Sequence, residues 1–172
     1  METLTRFIRD IPDFPEPGVV FKDITPLLAD ASGFSTLVAE MSNPFHEAGI
    51  SHVAGIEARG FTLAAPIAVT LGAGFIPVRK PNKLPHVTVG EDYELEYGTD
   101  RLEVHADAIK PGDRVLLVDD VIATGGTAAA ALRLLDKIGA VVVGFTVFIE
   151  LAFLDGKAAL PEVPFNALIV YD

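Results

Sequence analysis

Apolar residues recur at two different periods along this chain, and the alternation of the two predicts most of its elements. Across residues 33–48, Phe34, Leu37, Val38, Met41 and Phe45 fall on one face of a helix, with Pro44 set to disturb its last turn. Residues 52–56 then read as a short strand, 60–71 as a helix and 74–78 as a second strand. Farther along, 114–118 has the pattern of a buried strand and 125–138 that of an Ala/Leu-rich helix. Two more strands follow at 141–149 and 167–171. Near-continuously apolar strands alternating with helices imply an α/β fold around a mainly parallel sheet flanked by helices.

Two stretches break this rhythm. Residues 10–26 hold Pro12, Pro15, Pro17, Gly18 and Pro26, so no continuous helix can run through them. They predict an extended flap with a short apolar piece at 19–21. Residues 79–92 are polar and contain Pro and Gly, as a long loop would. Tyr93, Leu95 and Tyr97 then alternate with Glu94 and Glu96, the pattern of a half-solvated strand. Gly98-Thr99 supplies a turn, and 100–105 can return as the partner. The expected organisation is one domain over 1–172, with an N-terminal flap (1–30) and a flexible arm (79–103) added to the core.

Composition narrows the chemistry. Half of the 172 residues are hydrophobic and 22% are charged, which is the balance of a globular chain. There is no Cys, so disulfides and thiol chemistry are excluded and a cytoplasmic location is suited. The first ten residues lack an apolar segment, so no signal peptide is expected. The longest apolar run, near 141–149, is too short to span a bilayer. A net charge of −11 argues against nucleic-acid binding by bulk electrostatics. Basic residues are nevertheless uneven: none occurs from Asp23 to Ala58, and Arg59, Arg79, Lys80 and Lys83 then follow. In so acidic a chain, that grouping suggests a small anionic ligand. The four His residues, at 46, 52, 86 and 105, show no metal-ligand spacing.

The most informative string is VLLVDDVIATGGT, residues 115–127. A buried strand ends in Asp119 and Asp120, a short loop follows, and Gly125-Gly126 open a helix. A helix start after a parallel strand offers free N–H groups and a positive dipole end. Thr124 and Thr127 add hydroxyls, so residues Ala123, Thr124, Gly125, Gly126 and Thr127 have the chemistry of a phosphate cradle. Taken alone, TGGT also suits a plain turn, and Asp before a helix a cap. Carboxylates would repel a phosphate held against them, yet they suit a sugar diol or a Mg²⁺ beside it. A ribose 5-phosphate satisfies both halves.

This string is similar to the phosphoribosyl pyrophosphate signature of the type I phosphoribosyltransferases. Three further segments resemble the adenine branch of that family: FPEPGVVFKDITPL (14–27), GIEARGF (55–61), and RKPNKLP leading on to YELEYGTD (93–100). Together they cover most of residues 10–150. The resemblance implies the type I fold, with its hood and long flexible loop. It also implies transfer of the phosphoribosyl group to adenine, giving AMP and pyrophosphate. Glu57, Ala58 and Arg59 would meet pyrophosphate, in a segment that often carries an unusual cis peptide, and Arg79, Lys80 and Lys83 would add positive charge. Val20 and Lys22 would read the adenine edge through their backbones while Phe21 stacks on its face. Many members of the family carry Arg where this chain has Lys22.

Glu96 matches the loop carboxylate proposed to exchange a proton with the purine, and Tyr97 would position the loop or substrate. Mg²⁺ is the implied cofactor, carried by the substrate with Asp119 and Asp120 alongside, and a homodimer is the implied assembly. The competing expectations are a hypoxanthine or guanine enzyme of the same family, and a non-catalytic regulator that senses phosphoribosyl pyrophosphate. The regulator would need a basic face or an added winged helix, and a ribose-phosphate synthetase would need about twice this length.

Overall fold

The computed structural model describes residues 2–94 and 98–172. The chain opens with α1 (Glu2–Thr5), then β1 (Arg9–Pro12) and β2 (Val20–Asp23), which pair antiparallel. The proline-rich stretch is thus a hairpin rather than a merely extended flap. Asp13 accepts a hydrogen bond from Gly18 N–H (2.8 Å) across its turn. Asp23 pins the base, bonding Arg9 at 2.6 Å and the Thr25 N–H at 2.9 Å. These bonds, the Thr25 amide first, hold the Asp23 carboxyl below its ordinary range despite partial burial.

Pro26 is tolerated in the first turn of α2 (Thr25–Ala29), where its missing N–H has no intrahelical partner to lose. Helix α3 (Ala31–Ser42) starts two residues earlier than the apolar pattern suggests, because Asp30 caps it by accepting from Gly33 N–H (2.7 Å). It ends at Ser42, where Pro44 turns the chain into a 3₁₀ turn, Asn43–Phe45.

The central sheet comprises β3 (His52–Ile56), β4 (Gly74–Val78), β7 (Arg114–Ile122), β8 (Val141–Leu151) and β9 (Phe165–Tyr171). It runs in the order β4-β3-β7-β8-β9, and every pairing is parallel. α4 (Arg59–Leu71) connects β3 to β4, and α5 (Gly126–Lys137) connects β7 to β8. Alternation along β7 shows why the sheet is buried on both faces. Leu116 and Val118 join a core with Leu37, Met41, Leu63 and Ile67 of α3 and α4. Val115 and Leu117 join a second core with Leu132 and Leu135 of α5. Each such fully buried side chain is worth about 1.5–3 kcal/mol.

The second core also holds Tyr93, Leu102 and Val104. These belong to β5 (Thr88–Glu94) and β6 (Thr99–His105), an antiparallel hairpin outside the main sheet. Residues 88–92, expected as loop, are therefore strand. At Gly90 the Arg101 guanidinium occupies the place a Cβ would take, so a side chain there would have to displace it. Arg79 and Glu103 bridge the hairpin to the end of β4 through two backbone hydrogen bonds, at 2.9 and 2.7 Å. Among the described residues, no helix is long and apolar enough to cross a membrane.

Candidate active site

β3 and β7 are neighbours, but the chain leaves them toward opposite edges of the sheet, by α4 to β4 and by α5 to β8. Loops at such a reversal diverge and leave a crevice at the carboxyl ends of the strands. β7 pairs with β3 only as far as Val118, yet continues beside β8 to Ile122. Asp119 and Asp120 thus lie within a strand that has lost one neighbour, rather than at its end. They form the floor of a cleft of about 410 Å³.

One wall is the turn from β3 into α4, carrying Glu57, Ala58 and Arg59, and the Glu57–Ala58 peptide is cis. α4 begins so close to β7 that a Cβ on Gly60 would stand 2.8 Å from Asp119 Oδ1 and 3.0 Å from the Val118 carbonyl. The opposite wall is the loop of Ala123, Thr124 and Gly125 leading into Gly126 and Thr127. Gly125 holds φ at +81°, a left-handed value that side chains disfavour. Among the described residues no side chain caps α5, whose first turn lines the cleft and brings free N–H groups and the positive end of the helix dipole to it.

The electrostatics of the floor are uneven. Burial, and then the negative charge of Asp120, push the Asp119 carboxyl well above its ordinary range. Arg59 Nε stands 2.5 Å from Asp120 Oδ2. The angle misses hydrogen-bond geometry, so this buried oxygen has no hydrogen-bond partner. An acid pair on the floor of a cleft suits sugar hydroxyls or a divalent cation shared with a ligand. Among the described residues, no group of three or more metal-ligating side chains could hold such an ion without a ligand.

Arg59 also lies over the ring of Phe21, 4.6 Å from its centroid. Phe21 is only half-buried, and Phe14 meets its edge at 5.2 Å, so it is not a core residue. The flap strand β2 pairs only with β1 among the described residues, leaving one backbone edge at Val20–Lys22 open. The Lys22 side chain is occupied elsewhere. Its ammonium bonds Asp10 at 2.7 Å and sits 4.2 Å above the Tyr171 ring.

The basic residues of the arm divide. Lys80 lines the cleft, whereas Arg79 and Lys83 stand outside its lining. Arg79 donates to Glu57 (Nε at 3.0 Å, Nη2 at 3.3 Å) and to the Lys83 carbonyl at 3.1 Å. Glu57 further accepts from Lys80 N–H at 3.0 Å. The Arg79 bond, ahead of the Lys80 amide, holds the Glu57 carboxyl below its ordinary range against burial. Glu57 thus anchors the Arg79 side chain and the Lys80 backbone rather than presenting a free charge to an anion. Glu96 and Tyr97 lie outside the described residues.

Two parts of the site have no signal in the sequence pattern. The backbone of Gly156 packs against Gly125 so closely that neither tolerates a Cβ, which buttresses the loop from behind. Tyr93 and Asp100 hold Lys80 by its ammonium.

A family model described as the phosphoribosyl transferase domain matches residues 28–165. An adenine phosphoribosyltransferase of Thermobifida fusca (strain YX) is 54% identical over 96% of this chain and 94% of its own length. The adenine phosphoribosyltransferase structure from Rhodothermus marinus DSM 4252 superposes with a TM-score of 0.95 at 52% identity, covering 99% of this chain and 97% of that one. The Saccharomyces cerevisiae adenine phosphoribosyltransferase, solved with an imino-altritol bisphosphate and adenine, gives 0.92 at 37% identity, covering 97% of each chain.

Proposed function

The chain belongs to the phosphoribosyl transferase family, and from that premise we infer that it transfers the 5-phosphoribosyl group of phosphoribosyl pyrophosphate to adenine, a purine-salvage reaction that yields AMP and pyrophosphate. The observation that carries the reading is the meeting, in one cleft, of an acid pair, an uncapped helix start and an arginine that touches Phe21.

The 5-phosphate accepts from the N–H groups of residues 123–127, with Thr124 and Thr127 adding hydroxyls. The ribose hydroxyls donate to Asp119 and Asp120. Arg59 and Lys80 hold the pyrophosphate, and Arg79 and Lys83 extend the positive field behind them. Adenine stacks on Phe21, and the open edge of β2 at Val20 and Lys22 reads its exocyclic amine and ring nitrogens. The contact between Arg59 and Phe21 supports a shared wall for leaving group and base, which is what an in-line displacement at C1′ needs.

In the chemical step the C1′–oxygen bond to pyrophosphate breaks, and its electron pair departs with the leaving group. Purine N9 forms the new bond to C1′, and the proton the purine ring gives up passes to the Glu96 carboxylate while Tyr97 steadies the loop. Charge on the ribose develops beside Asp119 and Asp120, which favour it. Asp119 and Asp120 would hold a Mg²⁺ ion brought in with the substrate, and its charge would help neutralise the leaving group. Residues 1–172 act as one catalytic unit, with the flap and arm as its substrate-facing additions. A cytoplasmic homodimer completes the reading.

The direct test incubates the chain with adenine, phosphoribosyl pyrophosphate and Mg²⁺ and follows AMP and pyrophosphate. Both products should appear in equal amounts. Pyrophosphate release without AMP, or no reaction, would remove the transferase assignment.

A further inference from the structure

Two residues of the arm hairpin, Tyr93 and Asp100, have no role in the transfer reaction as read above. Lys80 enters the cleft from the end of β4, and its Nζ donates to Tyr93 Oη at 2.8 Å and to Asp100 Oδ2. Tyr93 Oη donates in turn to Asp100 Oδ2 at 3.1 Å and lies 3.4 Å from Thr127 Oγ1, in the first turn of α5. Tyr93 is 5% exposed, although its hydroxyl touches three polar groups. A buried phenol that could have been a Phe, had packing been the only demand, marks a network with a purpose.

Tyr93 and Asp100 face each other across β5 and β6 in register. The hairpin therefore fixes both partners of one ammonium. Lysine is a flexible stem ending in a point charge with three donors, so its placement has to be supplied from outside. Two donors are taken by Tyr93 and Asp100, and the third remains for the cleft. Burial works against the Lys80 charge, but the bonds from Asp100 and Tyr93 outweigh it and keep the ammonium protonated.

We propose that Tyr93 and Asp100 are positioning residues that fix the Lys80 ammonium for pyrophosphate and tie it, through Thr127, to the loop that takes the 5-phosphate. The two anionic ends of one substrate are then held at a set spacing by the base of the arm. This rests on the reading of Lys80 as a pyrophosphate contact.

The test is a double-mutant cycle on the full chain at saturating Mg²⁺ and adenine. Asp100→Asn should raise the KM for phosphoribosyl pyrophosphate about tenfold and Tyr93→Phe about threefold, with kcat and the KM for adenine within about twofold of the parent. Thermal melting of each variant separates this from loss of fold. In a Lys80→Met background, which should itself raise that KM, neither change should add a further effect. Unaltered or lowered KM in Asp100→Asn, or effects that persist undiminished in Lys80→Met, would overturn the positioning role while leaving Lys80 as a contact. A Lys80→Met chain with parental KM would instead remove the contact on which the proposal stands.

Discussion

The β7–α5 region of the site and the flap and arm beside it are built on different physical terms. On the β7–α5 side, Asp119, Asp120 and the loop after them are carried by a strand buried between two cores. Their positions are set by sheet register, and a close-packed interior resists change. On the flap and arm side, β1–β2 and β5–β6 are two-stranded hairpins outside the main sheet, tied down by ion pairs such as Arg9–Asp23 and Arg79–Glu57. Such partly exposed pairs contribute little stability individually. On the proposed reading, the rigid region takes the sugar phosphate, and the flap and arm take the base and part of the leaving group.

The largest effect should come from the β7–α5 region. Asp119→Asn or Asp120→Asn should lower kcat/KM for phosphoribosyl pyrophosphate by about 10²-fold with little change in melting temperature, checked by steady-state kinetics beside calorimetry. Parental kinetics in both variants would reduce the acid pair to a helix-entry feature. The raised Asp119 pKa adds a pH signature. Asp119 takes up its proton at a higher pH than an ordinary Asp, so kcat/KM should fall as pH drops through that raised value. Its effect on stability has the opposite sense: the neutral form is favoured in the fold, so its contribution is present at low pH and lost as pH rises through the folded value.

Next in size is Glu96→Gln, which should lower kcat roughly 10²-fold while moving the KM for adenine much less, with Glu94→Gln as the control that should do little. Single-turnover measurement keeps slow product release from hiding the chemical defect. Similar behaviour of the two variants would remove Glu96 as the acid–base group.

On the flap, Phe21→Ala should raise the KM for adenine about tenfold, since base stacking on an aromatic ring is worth about 1–3 kcal/mol. The KM for phosphoribosyl pyrophosphate should change less, although Arg59 loses the ring it rests on. The smallest effect belongs to Lys22→Met. Its ammonium is held by Asp10 and Tyr171, so the KM for adenine should stay within about twofold of the parent. A tenfold rise would show that the side chain, and not only the backbone, reads the base.

The same contrast explains what the sequence makes legible. The parallel α/β architecture and the β7–α5 string are local patterns: an apolar strand, two acids, a glycine turn and a helix stand within a few residues of each other. Even there, β7 runs on to Ile122 because β8 supports it beyond Val118, which only the sheet register reveals. The flap and arm depend on contacts distant in sequence. Nothing local indicates that Glu57 holds Arg79, that 88–92 pairs with 101–105 as strand, or that Gly156 backs Gly125. Lys80, Tyr93 and Asp100 converge only because the hairpin folds them together.

The central claim is that a phosphate site common to the family is joined here to a flap that selects adenine. Turnover of adenine, hypoxanthine and guanine by the same preparation, each at saturating phosphoribosyl pyrophosphate and Mg²⁺, tests it most directly. The account predicts a kcat/KM for adenine at least about tenfold above either 6-oxo purine, a difference of about 1.4 kcal/mol in transition-state binding. Equal turnover of hypoxanthine or guanine would contradict it, leaving a phosphoribosyltransferase whose flap does not read the 6-amino group.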